Sequence, residues 1–439
     1  MAAVVGSLCS ADEPGHRRCA LLDASPYLFL LLSTAVRLAA GLVLLKYIAW
    51  QFGLSTFGLL TQVMGVAAIF YMFSGGGISN GVIRNISAGL SAAERRRWMS
   101  AGTTITVLFS IALAVVALAL SLFGSTAIFG DPEYAPVFLG IAAAQILVGF
   151  GNLVLAYFSG IGDTRTFAVV QIVANILSLV LLVVLTASIG LSGAMFGLVV
   201  GPAIIGAVAL WCFFRQVAQP GMFRISWDSS LLKNLLAYAA VMASSVTAVP
   251  IAQLLIRTDM SERLGWNAVG YWQAVAKLSD AYMLFIGVIL INYLLPRLSE
   301  QHEAASALRM LLRFGALLLA VFVAAAGVVY LVRNYLLLIV YSEEFLAASN
   351  FVLPQLVGDT LKVATLLLYY YFMSRGRVFI VFAAELALGV ALYVLYLALA
   401  PSYGAIAPIY AYAAAYGALL LVMIGLLRVA SGRSDSPIS

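Results

Sequence analysis

Charge is what this chain has least of. Of its 439 residues only 10% are Asp, Glu, Lys or Arg, whereas 64% are hydrophobic. Soluble globular domains carry about 25% charged and about 45–50% apolar residues. So little charge cannot cover a folded surface in water, which excludes a soluble fold and predicts an all-α, multi-pass membrane protein. Histidine is nearly missing too: His16 and His302 both fall outside the apolar runs. The three cysteines, Cys9, Cys19 and Cys212, have no metal or redox spacing. No P-loop and no HExxH occurs, so an ATP-driven pump within the chain and a zinc hydrolase are excluded. No cofactor and no metal site is expected. Long polar loops are lacking as well. The outside connections, near 125–134, 259–267 and 333–348, have no room for a soluble catalytic domain, so the chain is not read as an enzyme. The net charge of +6 is scattered over short loops, without a basic patch interleaved with aromatics, so nucleic acid is not a partner.

What is present is hydrophobic length. A span needs about 20 mostly apolar residues. On that rule twelve helices are expected, over 27–51, 54–83, 100–124, 135–160, 167–189, 193–215, 234–258, 268–296, 308–332, 349–373, 378–400 and 404–428. Basic residues gather in alternate loops, and the outside segments keep only Arg257, Arg263 and Arg333, with acids around them. That bias places both termini in the cytoplasm. Residues 1–26 hold Asp12, Glu13, Arg17 and Arg18 and read as a cytoplasmic tail rather than a cleaved signal. The expected organisation is an N-lobe of six helices (27–215), a cytoplasmic linker (216–233), a C-lobe of six helices (234–428) and a tail (429–439).

The two lobes are expected to be related by duplication. Residues 57–88 and 269–300, overlaid without a gap, match at Gly58/Gly270, Val63/Val275, Phe73/Phe285, Gly75/Gly287, Asn80/Asn292 and Ser87/Ser299. The overlay also shows an asymmetry: Lys277 and Asp280 stand where the first copy has Gly65 and Ala68.

Charges within the bilayer are costly, about 2.5–3.5 kcal/mol each at a helix centre. Arg37 falls at mid-depth of the first helix, either satisfied by structural partners or facing a water-filled cavity. Lys46 lies half a turn round the helix near Trp50, where snorkelling to the surface is an equal account. Arg84 ends the second helix, as an anchor or a site residue. Lys277 and Asp280, three apart, share a helix face and can pair. Asp359 and Lys362 repeat the arrangement in reverse. The pairs either neutralise their own cost or line a polar cavity between lobes. Glu385 has no obvious partner. The N-lobe thus offers cations without acids and the C-lobe a near-balance, so a shared cavity would be net positive and suit an anion. Asp280, Asp359 and Glu385 are candidate ion-coupling or gating positions. Asn80 and Asn292 read as interhelical glue, Gly75–Gly77 as a flexible point or close-packing site, Pro250 and Pro354 as kinks, and Tyr369, Tyr370 and Tyr371 as packing residues or the lining of a sugar path.

The stretch VGYWQAVAKLSDAYMLFIGVILINYLLPRLSE, then PQLVGDTLKVATLLLYYYF, and VRLAAGLVLLKYIAWQFG with GGGISNGVIRNISAG in the first half, resemble the Wzx-type flippases for O-antigen and enterobacterial common antigen, within the multidrug/oligosaccharidyl-lipid/polysaccharide exporter superfamily. The similarity runs from about Ser33 to near the end. It implies an undecaprenyl-pyrophosphate-linked oligosaccharide as substrate, flipped between leaflets of the bacterial inner membrane by rocking lobes. Its implied partners are membrane lipid, a coupling cation (H+ or Na+), a glycan polymerase and a chain-length regulator. By position, Arg37, Lys46, Arg84, Asp280, Asp359, Lys362 and Glu385 match charged positions of that family. Lys277 departs from it, since a small polar residue is expected there. On this reading Arg37, Lys46, Arg84, Lys277 and Lys362 bind pyrophosphate and glycan. The alternatives are an ion-coupled multidrug antiporter of the same superfamily and an integral-membrane enzyme of glycan assembly.

Overall fold

The computed structural model describes residues 24–432 apart from 89–90, 218–220 and 302. Most of the two expected tails, and residues 218–220 of the expected linker, lie outside the described residues. All regular structure within them is helical.

The chain opens with α1 (Ala24–Phe73), too long to cross a bilayer once. It is broken at Gly53, whose φ of 71° is a left-handed conformation that a side chain disfavours. Leu45 and Met64, on either side of the break, line one cavity, so the chain doubles back there. The single helix expected over 54–83 is a correction: helix stops at Phe73, and Gly75, Gly76 and Gly77 all take positive φ (80°, 74° and 64°) before α2 (Ser79–Ile86) resumes. Three successive left-handed residues cannot continue an α-helix, so the run ends the helix rather than flexing it.

Next, α3 (Ala92–Phe129) starts eight residues before the expected 100. Ser91 and Glu94 form a reciprocal capping box at its N-terminus. Ser91 also holds the Glu94 carboxyl below its usual range. After α4 (Ala135–Gly160), α5 (Thr164–Gln216) folds back at Ile189–Gly190. Ser178 donates to the Gly201 carbonyl at 2.8 Å across that hairpin.

α6 (Ser229–Val246) is capped by Asp228, which accepts from the Ser230 and Leu231 amides and pairs with Arg97 of α3 at 2.8 Å. The Arg97 hydrogen bond, with those amides, holds the Asp228 carboxyl below the ordinary aspartate range. The span expected over 234–258 is also corrected. Helix α6 ends at Val246 and α7 runs Ala248–Leu264. Pro250 has no amide hydrogen and its ring crowds the carbonyl four residues back, which interrupts the ladder there.

α8 (Trp266–Ile289) passes through a π-helical turn at Leu290–Leu294 into α9 (Leu295–Glu300). α10 (Ala304–Leu331), the short α11 (Arg333–Val340), α12 (Ser349–Ser374), α13 (Val378–Tyr403) and α14 (Ala407–Gly432) complete the chain. Among the described residues, eight stretches are long and apolar enough to cross a membrane. Several of these span more than one helical rod. Their outer faces carry large apolar side chains in the open, such as Leu122 at 84% and Phe379 at 78% exposure, as lipid-facing helices do.

Buried cores divide along the sequence. One draws on residues 78–239 and another on 252–423. A third joins the halves: Leu45, Phe57 and Val63 from α1 with Leu337, Tyr341 and Phe345 from beyond α10. Phe57 meets Tyr341 and Phe345 edge-on at 5.3 and 5.2 Å. Along this seam α1 and α8 touch backbone to backbone. A Cβ on Gly58 would lie 2.4 Å from the Trp266 carbonyl oxygen, a separation only glycine permits.

Candidate functional site

At one end the halves are sealed by polar as well as apolar contacts. Lys46 donates to the carbonyls of Leu338, at 3.0 Å, and Tyr341. It serves the carboxyl end of α11, where a cation is favoured. Glu344 accepts from the Leu54 amide at 3.1 Å, just after the break at Gly53. Deeper in, Arg257 donates through Nε to Gln62 Oε1 at 2.5 Å, and Gln62 donates to Thr258 Oγ1 at 2.9 Å.

Arg257 is a correction and a residue missed by sequence reasoning. It was expected in an outside segment, yet it is 4% exposed because α7 continues to Leu264. The usable signal was Gly265, whose φ of 80° makes it the true helix stop. The asymmetry of the repeat has its explanation here. A Cβ on Gly65 would lie 2.1 Å from an Arg257 guanidinium nitrogen. Where the second half places Lys277, the first half has a gap filled by the second half's Arg257.

Away from this closed end an open cavity of about 720 Å³ runs between α1, α8 and α12. Arg37, Lys277, Asp280 and Lys362 line it, with Met64 and Tyr370 among its walls. Arg37 is exposed, in the fork formed by the doubling-back of α1. Lys277 and Asp280 form an ion pair at 3.2 Å, Asp280 being the more exposed partner. Asp280 and Lys362 face both this cavity and a second, smaller one. Of the other expected site residues, neither Lys46 nor Arg84 lines this cavity. Arg84 is exposed on the last turn of α2.

The expected Asp359–Lys362 pair does not form. Asp359 is fully buried and accepts from Ser279 at 2.7 Å, Tyr412 at 2.8 Å, Gln355 at 3.1 Å and Tyr282. Four neutral donors thus take the place of a cation. Lys362 turns instead towards the rings of Tyr412 and Tyr416, 5.8 Å from each centroid, a cation–π arrangement. Glu385 lies on α13 and does not line the large cavity. Behind α8 and α12 a small cavity of about 40 Å³ is lined by Asp280, Lys362, Ser279 and Gln355, among others. Tyr369 and Tyr371 pack in the second half's core, and only Tyr370 of that run reaches the large cavity. Asn292 bonds to the Val288 carbonyl of its own helix, so it is not interhelical glue.

Among the described residues, the arrangement brings three cations and one carboxylate to a cavity between halves whose seam is closed at one end. It holds no metal cluster among the described residues. The lipid III flippase of Escherichia coli (strain K12) is 28% identical over 386 residues, which cover 88% of this chain and 93% of that protein. Among solved structures, the lipid II flippase MurJ in an inward closed conformation superposes with a TM-score of 0.73 at 12% identity, covering 92% of this chain and 87% of that one. An inward-facing multidrug resistance MATE family transporter of the MOP superfamily gives 0.68 at 15% identity, covering 92% and 96%. These two likenesses establish the fold. The model of the family described as "Polysaccharide biosynthesis protein" matches residues 27–302, more than half of the chain, and the chain belongs to that family.

Proposed function

We propose that this protein flips an undecaprenyl-pyrophosphate-linked oligosaccharide, of the O-antigen or enterobacterial common antigen type, from the cytoplasmic to the periplasmic leaflet of a bacterial inner membrane. The observation that carries the reading is the convergence of Arg37, Lys277 and Lys362 on one open cavity, with Asp280 its one lining acid among the described residues. Such an excess of positive charge between low-dielectric walls concentrates anions. The pyrophosphate binds Arg37 and draws Lys277 away from Asp280, the glycan fills the cavity, and the polyprenyl tail stays in lipid. Two six-helix lobes then rock about the α1–α8 seam. With both termini cytoplasmic, the sealed end is periplasmic and this is the cytoplasm-facing state. Lys46 acts in that state by holding the seal, and Arg84 lies at the cytoplasmic mouth.

Asp280, Asp359 and Glu385 couple the cycle to H+ or Na+, with the small cavity beside Asp280 as the coupling position. A glycan polymerase and chain-length regulator act on the exported unit. The relative with the highest coverage of its own length by this chain among those named is a multidrug transporter, and a buried acid such as Asp359 also suits a cation exporter; this keeps multidrug antiport as the second reading. Complementation of strains each lacking one defined flippase, beside a drug-sensitivity assay, decides between them. Restored glycan export without drug resistance supports the flippase. Drug resistance without restored export sinks it.

A further inference from the structure

Outside the central cavity, a separate hollow of about 490 Å³ opens where α9 meets α10, and Arg297, Arg309 and Arg313 line it together with Tyr293, Gln301 and Phe314. Among the described residues, no carboxylate contributes to its lining. Among the described residues, none of the three arginines belongs to an ion pair. Part of the site is built in advance. The Tyr293 ring stacks on Phe314 with centroids 5.3 Å apart, and Arg297 lies 4.2 Å from the Tyr293 centroid while donating to its hydroxyl at 2.7 Å. Arg309 is steadied through Nε by its own helix, at 3.4 Å from the Ala305 carbonyl. Three guanidinium groups turned on one hollow repel one another unless an anion sits among them. Loop bias alone places arginines at a membrane surface but does not make them converge.

The hollow has an apolar extension. Arg313, Leu317 and Val321 follow at four-residue spacing and so share one line on α10. Leu317 and Val321 are 65% and 59% exposed. We propose that this hollow binds the phosphate of an anionic phospholipid, with one acyl chain lying along Leu317 and Val321. The guanidinium groups match phosphate geometry, and the track beyond them is of use only to a hydrocarbon chain. The bound lipid braces α9 against α10. Its site begins at Tyr293, in the same π-helical turn as Ile291, which lines the large cavity.

Native mass spectrometry of the full-length protein, released from nanodiscs of equal phosphatidylglycerol and phosphatidylethanolamine, tests the site without any transport step. Its outcome is therefore separate from that of the flippase reading. R309Q/R313Q is expected to retain phosphatidylglycerol about thirtyfold less well than the wild type, with phosphatidylethanolamine unchanged and R309K/R313K intermediate, because lysine keeps the charge but lacks the guanidinium fork. If the double variant does not fold, R309Q and R313Q singly are expected to lose about fivefold each. Equal phosphatidylglycerol retention by folded wild type and glutamine variants overturns the proposal. So does full displacement of phosphatidylglycerol by millimolar inorganic phosphate, which would make the hollow a site for a soluble anion.

Discussion

Gly58 and Gly270 occupy matching positions in the repeat, and each is pressed against the other's half in the same way. A Cβ on Gly58 would lie 2.4 Å from the carbonyl oxygen of Trp266, and one on Gly270 would lie 2.5 Å from that of Leu54. Leu54 and Trp266 are themselves separated by the repeat shift of 212, so this is one contact made twice about a pseudo-two-fold axis. Small residues at such a crossing let two backbones approach where no larger side chain fits.

Gly58→Val is therefore expected to disfavour the sealed end. Overpacking of this kind costs about 1–3 kcal/mol, which shifts a two-state equilibrium by roughly five- to 150-fold. Spin labels at Ser55→Cys and Glu262→Cys, in a background without the native cysteines, report the separation across the seal. The short-distance population should dominate in the parent and fall in Gly58→Val. An unchanged distribution would show that the close approach does not govern closure.

Gly65 and Arg257 form the second cross-half relationship. Gly65→Ala forces the guanidinium away from Gln62 and leaves a buried amide oxygen unpaired, at a cost of about 1–3 kcal/mol. Arg257→Ala loses the same bond and adds a cavity. Because both changes remove one interaction, the double variant should be destabilised by less than the sum of the singles, with a coupling of about 0.5–3 kcal/mol. Thermal melts of the four proteins in one detergent measure it. Strict additivity would mean that the two residues do not act together.

Asp359→Asn should be far more damaging than its size suggests. Four side-chain donors point at the carboxylate, and an amide replaces one acceptor with a further donor. At least one donor is stranded, which costs about 1–3 kcal/mol. A lowered melting temperature is expected together with lost export. Asp280→Asn, exposed in the cavity, should leave the melt within about 0.5 kcal/mol of wild type while strengthening retention of a pyrophosphate-bearing ligand. A reversal of these two melts would contradict the assigned environments.

Several of these features were legible before the structure. Hydrophobic length gave the helical rods, and it put the first boundary between 51 and 54, where Gly53 breaks α1, because both flanking runs were long enough to span. Lys277 and Asp280 pair because spacing on one helix is a local property. The same rule misjudged Asp359, whose donors come from α8 and α14 as well as from its own helix; spacing along a helix is blind to neighbours. It also missed Arg257, since a cluster of Asp259, Glu262 and Arg263 reads as a loop although the helix runs through it. The Gly65/Lys277 mismatch was visible as an asymmetry, but the guanidinium that fills the gap comes from a segment distant in sequence. Arg37, at mid-depth, and Lys46, near the surface end of the same helix, both stood as candidate anion-binding cations. Their different uses depend on α11, which meets Lys46 and not Arg37.

The central claim is that a cation in the cavity, rather than the seal, engages the substrate's anion. Translocation of a fluorescent undecaprenyl-pyrophosphate-linked oligosaccharide in proteoliposomes, comparing wild type with Arg37→Gln, tests it most directly. Arg37 is exposed, so the variant should melt like the wild type, yet lose about tenfold or more in translocation, as removal of a charge-assisted phosphate contact worth about 1.5–3 kcal/mol requires. Translocation at the wild-type rate by a normally folded Arg37→Gln protein would contradict the account.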